Sequence, residues 1–182
     1  MVNLQTGLNA IFAAGQDFSL AFWWKVPTIE FTEVYDYILV RPVTFEYLTN
    51  GKDGSANAIR FGYRRPVDNM VLSKLYDNSN DGLWHHYAVV RKGSFVRLWR
   101  DGVEGFSDTH ENNSGSFVVA QMYIVAHNTD RYCAQGVMDD FRLYSRALGE
   151  EDIQELNQDA GVFLTSLNLT LTTGYSQKGE TT

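Results

Sequence analysis

The chain of 182 residues carries 22 acidic against 15 basic side chains, a formal net charge of -7, and is long enough for one domain with a continuous core but too short for two full ones. Its Lys and Arg residues are scattered rather than gathered into a stripe, which excludes the electrostatic footprint of a nucleic-acid binder. An aromatic content of 14% with only 3 prolines excludes a disordered chain and favours strands.

From Phe18, "FSLAFWWKV" reads as a buried strand, aromatic and closed by Pro27, which has no ladder donor. "IEFTEVYDYILV" (29–40) and "TFEYL" (44–48) follow as alternating runs, and the cluster 50–57 reads as a turn in which Gly51 and Gly54 accept positive φ. Next come "AIRFGYR", "NMVLSKLY" and a polar loop over 77–82. "WHHYAVVR" and "FVRLWR", joined by Lys92-Gly93-Ser94 and ended by Asp101-Gly102, predict a hairpin. A polar stretch, "DTHENNSGS", leads to the strand-like runs "SFVVAQMYIVAH" and "QGVMDDFRLYS". "LGEEDIQELNQDAG" is the predicted helix: Glu150, Glu151 and Asp152 sit at the positive end of its dipole, Leu148, Ile153 and Leu156 share a face, and Gly161 ends it. Leu/Thr alternation over 164–172 supplies a last strand before a polar tail.

Strands at this spacing without a long helix predict an all-β chain of two packed antiparallel sheets with one short helix near the C-terminal side. The hairpin 84–99 and the strand 136–144 are expected in facing layers. The sandwich is expected over 1–160, with 161–182 as a strand and tail of the same domain or packed on a neighbour. Cys133 is the only cysteine, so an intramolecular disulfide is ruled out and packing alone holds the fold. No apolar run reaches the roughly 18 residues of a membrane-spanning helix. The N-terminal "MVNLQTGLNAIFAAGQDF" lacks the basic region and sustained apolar stretch of a signal peptide. Neither nucleic acid nor a membrane is expected as a partner.

Three segments in this order resemble the concanavalin A-like lectin/glucanase sandwich, in its laminin G-like branch. "DGLWHHYAVVRKGSFVRLWRDGVEG" is similar to that family's Trp-His-x-x-Ala strand with a return strand closing in Asp-Gly. "GVMDDFRLYSRALGEEDIQEL" is similar to its Gly-x-x-Asp-(Asp/Glu)-x-Arg-x-Tyr segment, and "FSLAFWWKV" to its early strand. The resemblance spans 18–156 and implies a jelly-roll sandwich. The disulfide common in secreted members is missing here, and the stretch 29–48 has no obvious counterpart.

The same superfamily includes glycoside hydrolases with Glu-x-Asp-x-x-Glu, a string that Glu150, Asp152 and Glu155 reproduce. In the predicted helix, five residues set Glu150 and Glu155 roughly 140° apart around the axis, so the match is read as accidental and no catalytic residue is assigned. His85, His86, His110 and His127 fit no metalloprotease helix, and Cys133 has no activating context. The chain is read as a non-enzyme.

The resemblance implies ligand contact at rim loops, in some members through calcium. Oxygen-rich loops make Asp77, Asp81, Asn128 and Asp130 candidate calcium ligands, together with Asp139 at the family's Asp position. The competing reading is that Asp and Asn simply make good turns, and no cofactor is required. For glycan contact the candidates are Tyr35, Tyr37, Tyr63 and Tyr76 as stacking platforms and His85 beside them, while Trp23, Trp24, Trp84 and Trp99 read as core. Successive strand residues point to opposite faces, so His85 and His86 do not act on one atom: His86 reads as packed with Ala88 and Val90, and His85 as exposed.

A sandwich without disulfide or signal peptide leads to the expectation of a non-enzymatic virion component, a capsid decoration or fibre/adhesion module like the sandwich domains of bacteriophages. It would assemble in the cytoplasm with other virion subunits or copies of itself and be displayed on the virion surface, with an extracellular location as the alternative. The alternative function is a carbohydrate-binding module for surface glycans, with or without calcium, and the remote one a glycoside hydrolase. The apolar and aromatic stretch 29–48 points to a homo-oligomer, or to an extra hairpin covering a sandwich edge.

Overall fold

The computed structural model describes residues 10–26, 58–116 and 136–159 in full, and the strands Tyr35–Val40, Val43–Leu48 and Tyr123–Ile124 by their backbone. The strands are β1 (Phe18–Lys25), β2 (Tyr35–Val40), β3 (Val43–Leu48), β4 (Ala58–Arg64), β5 (Val71–Tyr76), β6 (Trp84–Lys92), β7 (Phe95–Arg100), β8 (Val103–Thr109), β9 (Tyr123–Ile124) and β10 (Val137–Tyr144). A helix, α1 (Glu150–Gln158), follows β10. Antiparallel pairing builds two five-stranded sheets, in the orders β10-β1-β6-β7-β8 and β5-β4-β3-β2-β9.

The alternation along β1 explains why it lies inside the first sheet. Phe18, Leu20, Phe22 and Trp24 enter the core between the sheets, where they meet Ile59, Phe61 and Tyr63 of β4 and Tyr87 and Val89 of β6. Phe22 lies edge-on to Phe61 at 6.3 Å and stacks on Tyr87 at 5.7 Å. Ala21 faces the other way and joins Ala88, Val90 and Trp99 in a second cluster, which Leu148, Ile153 and Leu156 cover. Both faces of β1 and β6 are therefore dry, and their sequences read as nearly continuous apolar runs.

Ser19, fully buried, ties α1 to this sheet. Its hydroxyl donates to the Arg146 carbonyl (3.0 Å) and accepts from the Leu148 N–H (2.9 Å). The first turn of α1 is closed by Asp152, which accepts from the Gly149 N–H (2.7 Å) and from both terminal nitrogens of Arg146 (2.9 and 2.8 Å). Arg146 and the Gly149 N–H hold its carboxyl down to about 2.

Three expectations need correction. The hairpin β6–β7 and β10 do not face one another across the core: they share one sheet, on either side of β1. Inward-facing apolar residues demand two layers but do not say which strands share one, since that depends on long-range pairing. Asp108 and Thr109, read as the start of the polar stretch, belong to the strand β8, which among the described residues pairs only with β7. The helix stops at Gln158 with Asp159 as its cap, ahead of Gly161. The turn 50–57, the strand 164–172 and most of the run 116–127 lie outside the described residues.

Register defines two poles. At one, Val137, Lys25 and Trp84 line up across β10, β1 and β6, next to the β7–β8 turn. The ends of β5 and β4 arrive there too: Ile59 pairs with Tyr76, whose ring lies 6.2 Å from that of Tyr87. The opposite pole holds Tyr63, Arg91 and a short 3-10 turn, Glu111–Ser114.

Candidate functional site

The first pole is built around His85. The loop between β5 and β6 is shaped by positive φ at Asn78 (54°) and Gly82 (75°), and by the Ser79 hydroxyl donating to the Tyr76 carbonyl at 2.6 Å. The β7–β8 turn, Asp101-Gly102, takes positive φ at both residues (52° and 73°), as a two-residue hairpin requires. These backbones bring two carboxylates 20 residues apart in sequence onto one imidazole. His85 Nδ1 lies 2.7 Å from Asp101 Oδ2, and Nε2 lies 3.0 Å from Asp81 Oδ2.

The remaining oxygens are also engaged. Asp81 Oδ1 accepts from the Leu83 N–H (2.9 Å) and Asp101 Oδ1 from the His86 N–H (2.9 Å), while Arg100 Nε approaches Asp101 Oδ2 at 3.4 Å. A carboxylate only accepts, so both ring nitrogens donate and the ring is an imidazolium. Burial pulls the His85 pKa down, but the hydrogen bonds its ring donates to Asp101 and Asp81 outweigh it and the net shift is upward. Burial raises the two carboxyls, and their hydrogen bonds, to the His85 ring and to backbone N–H groups, bring both below the usual range.

Beneath this network Arg100 lies over the rings of Tyr76 (4.9 Å) and Tyr87 (5.8 Å). Burial pushes the Tyr76 hydroxyl up to about 12. His86, on the other face, is 2% exposed and 5.1 Å from the Trp23 ring; burial pulls its pKa down to about 4, so it is neutral. Beside the network Leu83 (61%), two residues after Asp81, and Val103 (67%), next to the Asp101-Gly102 turn, are exposed apolar side chains; Val137 (54%) is exposed further off, across Lys25 on β10.

Of the residues singled out in the sequence, Tyr76, Asp77, Asp81 and His85 come to this pole, with Asp77 exposed. The backbone of Tyr35 reaches the same end through its pairing with Leu48, itself opposite Ala58, and Tyr37 lies two residues further along β2. His85 is not the exposed group expected: its side chain is 14% accessible and held on two sides. Tyr76 is covered by Arg100 and Tyr87, and its hydroxyl packs against Gly105, so it presents no open stacking face. Tyr63, also expected as a platform, lies at the far pole, fully buried, donating to the Asn113 carbonyl at 2.7 Å.

Asp139 sits in β10 opposite Trp23, on the far side of β1 from β6, and accepts from the Asp140 N–H at 2.7 Å. Asn128 and Asp130 fall outside the described residues. Both oxygens of Asp81 are hydrogen-bond acceptors in the His85 network, so a cation at Asp81 would have to displace the imidazolium. Among the described residues no three His, Cys, Asp or Glu side chains are grouped to hold a metal ion. Glu150, Asp152 and Glu155 lie on α1 as expected.

Sequence reasoning missed Asp101 as a partner of His85, and Leu83 and Val103 as the exposed tips. The Asp-Gly turn was legible; the carboxylate's destination was not, because it depends on how β6 and β7 pair.

The chain matches the family profile described as the concanavalin A-like lectin/glucanases superfamily over residues 3–154. Among solved structures, the binding domain of Paraclostridial Mosquitocidal Protein 1 superposes with a TM-score of 0.60 at 17% identity, over 82% of this chain and 38% of that one. The botulinum neurotoxin serotype D ligand binding domain in complex with N-acetylneuraminic acid gives 0.56 at 15% identity, over 81% of this chain and 37% of that one. Domain 4 of AbnA, a GH43 extracellular arabinanase from Geobacillus stearothermophilus, in complex with arabinotriose, gives 0.51 at 21% identity, over 80% and 68%. The chain thus spans little more than a third of the toxin domains. No curated protein sequence matches it. At these identities the structural likenesses speak for the fold alone, and they agree with the two sheets and with the profile that spans most of the sequence: the chain belongs to the concanavalin A-like lectin/glucanase superfamily, in its laminin G-like branch.

Proposed function

We propose that this chain is a non-catalytic binding module that contacts carbohydrate at the His85 pole. The observation that carries the reading is the rim itself: Leu83 and Val103 stand exposed beside a hydrogen-bonded network that fixes the loop and turn carrying them. Sugars present C–H faces to apolar side chains and hydroxyls to neighbouring polar groups such as Asp77, and a prearranged rim avoids the entropic cost of ordering loops on binding. The sugars bound by the toxin and arabinanase domains support the ligand class.

The non-catalytic part rests on α1. A retaining glycosidase sets its two carboxyl groups about 5 Å apart across the scissile bond. Here the one string resembling such a motif is helical, and its Asp152 is occupied by Arg146 and the Gly149 N–H.

A glycan array probed with the isolated chain, with and without chelator, tests the reading. Binding to a defined set of glycans is expected, and Leu83→Asp and Val103→Asp weaken it at least about tenfold, equivalent to roughly 1.4 kcal/mol, with thermal midpoints close to the parent's. An array without hits, or hits indifferent to both substitutions, overturns it. Display on a virion surface as an adhesion module belongs to the same proposal; immunogold labelling of intact particles checks it.

A further inference from the structure

We propose that His85 is a protonation-dependent latch between the β5–β6 loop and the β7–β8 turn, holding the rim of Leu83 and Val103 in one geometry while its ring is an imidazolium and releasing the loop when the proton leaves. The functional consequence rests on the binding reading above; the latch itself does not.

The geometry is asymmetric. Asp101 keeps the His86 N–H as a donor at 2.9 Å and the Arg100 guanidinium as an ion-pair partner, its Nε 3.4 Å away, whatever the state of the ring. Asp81 has only the local Leu83 N–H besides His85 among the described residues. A neutral imidazole has one N–H and serves one carboxylate. When the proton leaves, Asp101 retains its place and the Asp81 contact opens, with it the tie that draws the Leu83 loop against the turn.

The groups that face His85 are few. Asp81 approaches from the loop, Asp101 and Arg100 from β7 and its turn, and Tyr76 and Tyr87 lie beneath Arg100 on β5 and β6. Burial keeps both phenols neutral through the working range, and His86 points to the opposite face of the sheet. Loss of the imidazolium therefore leaves two carboxylates with Arg100 as their nearest cation. Because the His85 pKa is raised in the fold, the latch is complete below its ordinary value of 6.5 and is lost as pH rises through the raised one.

The test is an NMR titration of the His85 ring nitrogens in the whole chain, with amide exchange of Leu83 read as protection factors over the same pH range. The expected result is a midpoint above 6.5 and Leu83 protection that falls as pH rises from 6.5 to that midpoint, by at most about tenfold per pH unit for one coupled proton, and levels off above it. In Asp81→Asn the midpoint drops and the pH dependence of protection is lost; His85→Gln gives pH-independent protection from the start. A midpoint at or below 6.5, or protection that does not change with pH in the parent chain, overturns the latch. No sugar enters this measurement, so an empty glycan array leaves the latch standing. Where a glycan does bind, its affinity is expected to fall as pH rises through the His85 midpoint in the parent and to stay level in His85→Gln.

Discussion

Arg91 occupies the position on β6 where the inward row Tyr87, Val89 meets a charge instead of another apolar side chain. Its fully buried guanidinium donates to the carbonyls of Ala13 (2.9 Å), Gln16 (2.6 and 2.9 Å) and Gly115 (3.0 Å), and lies 4.8 Å from the Phe18 ring. It joins the segment before β1 to the one after β8. Arg91→Met leaves these buried carbonyls without donors and is expected to cost on the order of 3 kcal/mol, read from urea unfolding. Arg91→Lys recovers only part, because an ammonium lacks the planar fork. The two histidines next to this strand's start pull stability in opposite directions. For His86, a drop from 6.5 to about 4 means that its contribution, roughly 3 kcal/mol, is complete above pH 6.5 and lost as pH falls toward 4. For His85 the contribution is lost as pH rises. Unfolding free energy measured across pH therefore peaks near pH 6.5; His86→Leu flattens the acid limb and His85→Gln the other. Strand alternation alone was enough to bury His86. It could not say that His85 lies between two carboxylates, because one of them comes from a turn 16 residues later.

The elements that were plain in the sequence have a strong period or a special turn. The hairpin β6–β7 shows both, and α1 shows an apolar face with acids in its first turn. β8 shows neither: "VEGFSDT" mixes exposed and half-buried residues because, among the described residues, it is an edge paired on one side only. α1 was legible as a helix but not as a cover, since its docking site on Ala21, Ala88 and Trp99 is assembled from three strands. Two substitutions test that cover. Ile153→Ala, at a fully buried position, is expected to cost about 2 to 5 kcal/mol. Gly102→Ala is expected to cost about 1 to 2 kcal/mol from its left-handed backbone, because φ is 73° and the new methyl would meet the Gln154 side-chain oxygen at 2.7 Å. That oxygen's partner nitrogen donates to the Gly102 carbonyl at 2.6 Å, so α1 and the β7–β8 turn loosen together. Thermal melts of both variants, with amide exchange at Val103, check this.

At the scale of the whole molecule the class of fold was legible and the wiring was not. Three apolar strand patterns in order were enough for a lectin-like sandwich, whereas the sharing of one sheet by β10, β1 and β6 depends on pairings more than a hundred residues long, such as Ser19 with Tyr144. The same wiring docks α1 on the outside of the first sheet, against Ala21, Ala88 and Trp99. Glu150→Gln with Glu155→Gln is accordingly expected to leave glycan affinity and thermal midpoint unchanged, measured by titration calorimetry and melting. The central place of β1 also bears on how the chain is made. Ser19 meets Arg146, 127 residues downstream, so on the ribosome β1 acquires β6 early and keeps one bare row of amide groups until Val137–Tyr144 has left the exit tunnel. A message cut short before Gly136 yields a product whose N-terminal strand is open to any extended neighbour, and stalled nascent chains of increasing length become resistant to protease in one late step.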